Sequence, residues 1–199
     1  VARFGQVEVN DVIACIVRDE THKIGGFDWL NMGIALAESG LMSNAVGDAG
    51  CSIGLFQLNT CGGQGSAYAD NPDALKDPRL NCRIGIPPIA VATWQATVRG
   101  YAGERFIREV ARSSGHPGWV GLEDARLTHI VNSVKRLITN ARGQIVAWPE
   151  FDPRVCAGGP LPPPPLGSWT EGPAPRDATE ADGAIHRHLE RMGELVDRF

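Results

Sequence analysis

Residues 38–59 read Glu38-Ser39-Gly40-Leu41-Met42-Ser43-Asn44-Ala45-Val46-Gly47-Asp48-Ala49-Gly50-Cys51-Ser52-Ile53-Gly54-Leu55-Phe56-Gln57-Leu58-Asn59. The stretch opens where a helix must stop. Upstream, Trp29 to Ser39 predicts a helix: Asp28 suits the N-cap, Phe27 and Met32 sit at hydrophobic-staple positions, and Gly40 supplies a left-handed stop. Leu30, Ile34, Glu38 and Leu41 then share one face, at steps of four and three. A carboxylate on the apolar face is disfavoured by burial. The partial negative charge of the helix C-terminus acts in the same sense. Glu38 is therefore expected to have a raised pKa, suited to a general acid near neutrality.

Asp48 follows in a glycine-bounded turn. It suits a second carboxylate facing Glu38 across a cleft, and such a pair is the usual equipment for glycoside cleavage. It equally suits a tight turn in which Asp bonds its own backbone. Ser52 and Gln57 carry groups that can orient a sugar N-acetyl substituent or satisfy buried backbone.

Working outward, Glu8 to Arg18 has apolar residues at helical spacing and predicts an amphipathic helix. Ser43 to Pro78 reads as loops with a short hairpin. A further helix is expected over Asn81 to Arg99, kinked at Pro87-Pro88 or starting after them. Helices over Glu104 to Ser113 and Glu123 to Ala141 follow, joined by a Gly115-His116-Pro117-Gly118 turn. The last carries a buried stripe of Leu127, Ile130, Val131, Val134, Leu137 and Ile138. Trp94 is expected in the core, while Trp119 and Trp148 could stack on sugars. Gly62-Gly63-Gln64-Gly65 lacks the ending of a phosphate loop and reads as a cleft-lining turn.

Composition shifts after residue 148. The chain divides into a catalytic-type domain over 1–148, a Pro-rich linker over 149–177 and a C-terminal helix over 178–199 that suits docking to a larger partner. His186 and His188 in that helix read as a solvated face rather than a metal pair.

The 199 residues carry 43% hydrophobic and 21% charged residues and a net charge of −4. That balance offers no footprint for nucleic acid or anionic lipid. No run reaches the roughly 18 apolar residues of a membrane span, and no signal peptide is visible. The five cysteines allow one local bridge among Cys51, Cys61 and Cys82, but reduced thiols are the expectation. No zinc-type cysteine spacing occurs, and neither metal nor cofactor is expected.

The stretch resembles the soluble lytic transglycosylase and goose-type lysozyme branch of the lysozyme superfamily. Glu38-Ser39 at a helix end and Gly54-Leu55-Phe56-Gln57 fifteen or so residues later match its hallmark. Gly47-Asp48-Ala49-Gly50 is similar to goose-type lysozymes, where that Asp is one of two acidic partners of the Glu. The second acidic partner is replaced here by Asn59. Asp77-Pro78-Arg79-Leu80-Asn81 resembles the family's opening of the next helix. Leu58-Asn59 with Gly62-Gly63-Gln64-Gly65 looks like domains of phage tail and virion proteins. Gly100-Tyr101-Ala102-Gly103 only approximates the family's Ala-Tyr-Asn-Ala-Gly segment, which makes Tyr101 a weak counterpart of the Tyr that approaches the Glu. The resemblance covers residues 8–100 well and 101–145 loosely.

The resemblance implies a mainly α, α+β lysozyme-like fold. It implies peptidoglycan cleavage at the β-1,4 bond between N-acetylmuramic acid and N-acetylglucosamine. Glu38 and Asp48 would be catalytic, and Ser52, Gln57, Asn59 and Tyr101 would bind substrate. Hydrolysis and lytic transglycosylation both remain open. If Asp48 positions a water, hydrolysis follows. If Glu38 acts alone, the sugar closes an anhydro ring. The alternatives are a non-catalytic virion, assembly or glycan-binding component with this fold, and a chitinase-like glycosidase. The implied location is a virion, or the cell wall or periplasm. The implied partner, a phage tail or cell-wall assembly, would be held through the C-terminal extension.

Overall fold

A computed structural model describes residues 1–115 and 123–146. The Pro-rich segment, the tail helix, Cys156, Trp119, Trp148 and His116 to Gly118 of the expected turn lie outside the described residues. The described part is mainly helical with two small antiparallel sheets. No helix among the described residues is long and apolar enough to cross a membrane.

The chain opens on a hairpin of β1 (Ala2–Phe4) and β2 (Val7–Val9). Alternation buries Val7 and Val9, so the expected helix over residues 8–18 starts later. α1 (Asp11–Ile24) begins after Asn10, whose side chain accepts from the Val12 N–H. The hairpin turn also closes a helix end elsewhere. Gln6 donates its backbone N–H to the Arg136 carbonyl, and its side-chain amide to the Thr139 hydroxyl and the Asn140 carbonyl. Orphan carbonyls at the end of α5 (Glu123–Ile138) are thereby satisfied.

α2 (Asp28–Ser39) is capped at its start by Phe27 without a side-chain bond. Asp28 is therefore the first helical residue rather than the N-cap. Its carboxylate turns inward, 3.3 Å from His22 and 3.9 Å from Arg18 of α1. Phe27 stacks on Trp29 at 5.6 Å and meets Phe106 at 6.2 Å. Gly40 closes the helix in the left-handed conformation, as expected.

α3 (Pro78–Val98) starts earlier than Asn81, with Asp77 accepting from the Leu80 N–H at its N-cap and Pro78 in the first turn. It runs through Pro87 and Pro88 without ending. Those prolines lie on its half-buried flank, and the Arg83 carbonyl that Pro87 leaves without a helix partner belongs to an exposed residue. The opposite face, including Asn81, Cys82, Gly85, Ile86 and Ile89, is buried and holds the helix to the core. Trp94 is half-buried rather than a core residue.

α4 (Gly103–Ser113) packs against α3 and α5. α5 packs most extensively on α2. The two cross closely because Gly33 has no side chain: a Cβ there would fall 2.4 Å from the Val134 side chain. Gly33 meets Val134, and Glu38 meets Arg126, so the helices run antiparallel. The core joins Leu30 and Ile34 of α2, Ile86 and Ile89 of α3, and Leu127 and Val134 of α5.

The expected hairpin in the 43–78 segment is a three-stranded sheet, β3 (Val46–Gly47), β4 (Ser52–Ile53) and β5 (Leu58–Asn59). Cys51 and Cys61 are joined by a disulfide across its base. Cys15 is likewise disulfide-bonded, and Cys82 is a free, buried thiol. The expectation of reduced thiols is thus corrected. The cysteines come together because β4 and β5 pair in antiparallel register, which sequence spacing alone does not reveal.

Candidate functional site

One open cleft of about 560 Å³ lies between the C-terminal end of α2, the three-stranded sheet and the N-terminal half of α5. Glu38, Asp48, Ser52, Gln57 and Asn59 all line it. Five of the six residues singled out in the sequence therefore meet in one place. Gly63 and Gln64 line it too, as expected of that turn.

Glu38 ends the apolar face of α2, and its side chain is 7% exposed. It has the burial and the place at the helix C-terminus from which the sequence expectation was argued. The sequence reading missed Arg126, which donates from one terminal nitrogen to both carboxylate oxygens, at 2.8 and 2.7 Å. A guanidinium at that distance favours the carboxylate. The sequence did carry a signal for Arg126 in hindsight: it precedes the first residue of the apolar stripe of α5, on the flank that meets α2. His129, one turn further, lies 3.2 Å from the Ala37 carbonyl and also lines the cleft.

Asp48 is exposed at the rim, in the left-handed conformation at φ 48°. Its Oδ2 accepts from the Ser52 hydroxyl at 2.5 Å. Ser52 is buried and lines the cleft, and its hydroxyl is directed to Asp48. Asp48 thus lines the cleft with its carboxylate tied to the Ser52 hydroxyl, where the turn reading had it bond its own backbone.

Gln57 turns the β4–β5 connection at φ 47°. Its amide donates to the Gly54 carbonyl at 2.9 Å and the Ala45 carbonyl at 3.4 Å. Its Oε1 occupies the space a Cβ on Gly47 would need, 2.4 Å away. Gln57 thus ties β3 to the hairpin while lining the cleft. Asn59 accepts from the Cys61 N–H at 2.9 Å, fixing the strand exit at the disulfide.

Tyr101 does not line the cleft, contrary to its expected role. Gly100, at φ 69°, turns the chain from α3 toward α4, and Tyr101 packs there against the core with Arg105 over its ring at 4.3 Å. Trp94 does not line the cleft either.

Among the described residues, no group of three or more His, Cys, Asp or Glu could hold a metal ion. No family model, curated protein or solved structure matches the chain.

Proposed function

We propose that this chain cleaves the glycan strands of peptidoglycan in a lysozyme-like domain, with Glu38 as proton donor to the leaving oxygen. The observation that carries this reading is the shared cleft: a buried carboxylate at a helix end and an exposed carboxylate at the rim of the same groove. Two carboxylates in unlike environments suit the two roles of glycoside cleavage, one neutral donor and one ionised partner. In hydrolysis Asp48, held by Ser52, would position the attacking water. Transglycosylation remains the outcome if Glu38 works alone. Proteins of this type are carried by phage particles or cell-wall assemblies, and the C-terminal extension suits attachment to one.

The Arg126–Glu38 pair supports a second reading, in which the cleft binds glycan without cutting it, because the pair favours a carboxylate over an acid. Clearing of a peptidoglycan suspension separates the two. Wild-type protein is expected to clear it, and Glu38→Gln to abolish clearing. Equal clearing by the variant removes Glu38 from the donor role, and no clearing by either protein favours the binding module. Mass spectrometry of the products then reads the chemistry: reducing ends mean hydrolysis and anhydro ends mean transglycosylation. Cleavage of chitin in preference to peptidoglycan would reassign the substrate.

A further inference from the structure

The Glu38–Arg126 pair closes one side of the cleft, yet the guanidinium is only partly used. A guanidinium has five N–H donors. Both contacts to Glu38 come from a single terminal nitrogen, Nη2. Arg126 makes no other hydrogen bond among the described residues, and its side chain is 34% exposed. Of the described residues lining the cleft it is the only Lys or Arg. Among the described residues the cleft therefore offers one fixed positive charge, already leaning on the carboxylate that would serve as the acid.

We propose that Arg126 is the receptor for a carboxylate of the substrate, and that binding this carboxylate draws the guanidinium away from Glu38. The proposal rests on the glycosidase reading of the same site and names its substrate class: an acidic glycan rather than a neutral one. Arginine pairs with carboxylates through two parallel N–H bonds, and each such fork, Nε with Nη2 or Nη1 with Nη2, includes the nitrogen that now holds Glu38, so a carboxylate paired in this way must draw Nη2 off Glu38. Once the guanidinium is neutralised by the substrate, its support for the ionised form of Glu38 falls. Burial and the helix C-terminus then favour the protonated form. The proton donor is thereby completed in the complex. A neutral chitin chain has no carboxylate and leaves the resting pair intact. Peptidoglycan offers two sources of the same group, the lactyl substituent of its muramic acid and the termini of its stem peptides.

The experiment measures binding by calorimetry in the Glu38→Gln background, where cleavage does not consume the ligand. The probes are chitotetraose, a peptide-free tetrasaccharide of alternating N-acetylglucosamine and N-acetylmuramic acid, and the same tetrasaccharide with stem peptides attached. With Arg126 present, a carboxylate-bearing probe is expected to bind about tenfold or more tighter than chitotetraose. With Arg126→Met added, the preference is expected to fall to within about twofold. Arg126→Gln repeats the test in a variant that keeps a polar head, should the Met variant fail to fold. A preference for the peptide-free strand assigns the lactyl group, and a preference confined to the peptide-bearing strand assigns the stem. Unchanged preference without Arg126, or no preference with it, overturns the proposal. Clearing assays keep the two readings apart. Clearing that depends on Glu38 without an Arg126-dependent preference sinks only the receptor. An Arg126-dependent preference with clearing that survives Glu38→Gln sinks only the donor.

Discussion

Asn81, in the first turn of α3, accepts a hydrogen bond from the Phe56 backbone N–H at 2.9 Å. Its amide nitrogen also donates to the carbonyls of Ile53 and Leu75, each at 2.9 Å, and the side chain is fully buried. One residue thus satisfies two backbone groups of the loop that carries Gln57 and one of the turn that leads into α3. One turn later Gly85 makes room for the Phe56 ring, since a Cβ there would lie 2.7 Å from it.

Replacing Asn81 by Leu leaves those three backbone groups without their partner in the interior. Each costs about 1–3 kcal/mol. The expected loss is roughly 3–6 kcal/mol in urea unfolding, with weakened glycan binding because the Gly54–Gln57 turn loses its anchor. A loss below about 1 kcal/mol would show that the loop holds itself.

The Cys51–Cys61 bridge closes the hairpin that presents Ser52, Gln57 and Asn59. For a loop of this size, chain-entropy arguments give about 3 kcal/mol of stabilisation. The double substitution Cys51→Ser, Cys61→Ser is expected to lower the melting temperature and to reduce clearing activity more than Cys82→Ala does. Calorimetric scans that match wild type would remove the bridge from the list of stabilising features.

Asp28 gives a pH dependence with a definite sign. Burial pushes its carboxyl up to about 6 from 3.8, against the pull of His22 and Arg18. The folded protein holds this proton more tightly than the unfolded chain. Its contribution to stability is thus full below about pH 4 and is lost as the pH rises through about 6. Asp28→Asn removes this titration. Between pH 4 and 7 the wild type should lose roughly 1–3 kcal/mol relative to the variant. Stability–pH profiles that run parallel would contradict the assignment.

The sequence determined the punctuation and the apolar faces. Gly40 as a left-handed stop, the face of Leu30, Ile34 and Glu38, and the stripe of α5 were all legible, because helix period and glycine conformation are local properties. The gathering of Glu38, Asp48, Gln57 and Asn59 was legible only through their close spacing along the chain. Local rules failed where distant partners set the outcome. Asp28 turns inward because α1 offers His22 and Arg18. Val7 and Val9 form a strand because Ala2 to Phe4 lies beside them. Tyr101 is withheld from the cleft by the turn into α4. Arg126 reaches Glu38 across 88 residues of chain, and only the close crossing of α2 and α5 at Gly33 and Val134 decides that contact. Sequence alone pointed to the carboxylate at the end of α2. The tertiary structure alone supplied the cation beside it, because a charge acts through space and not along the chain.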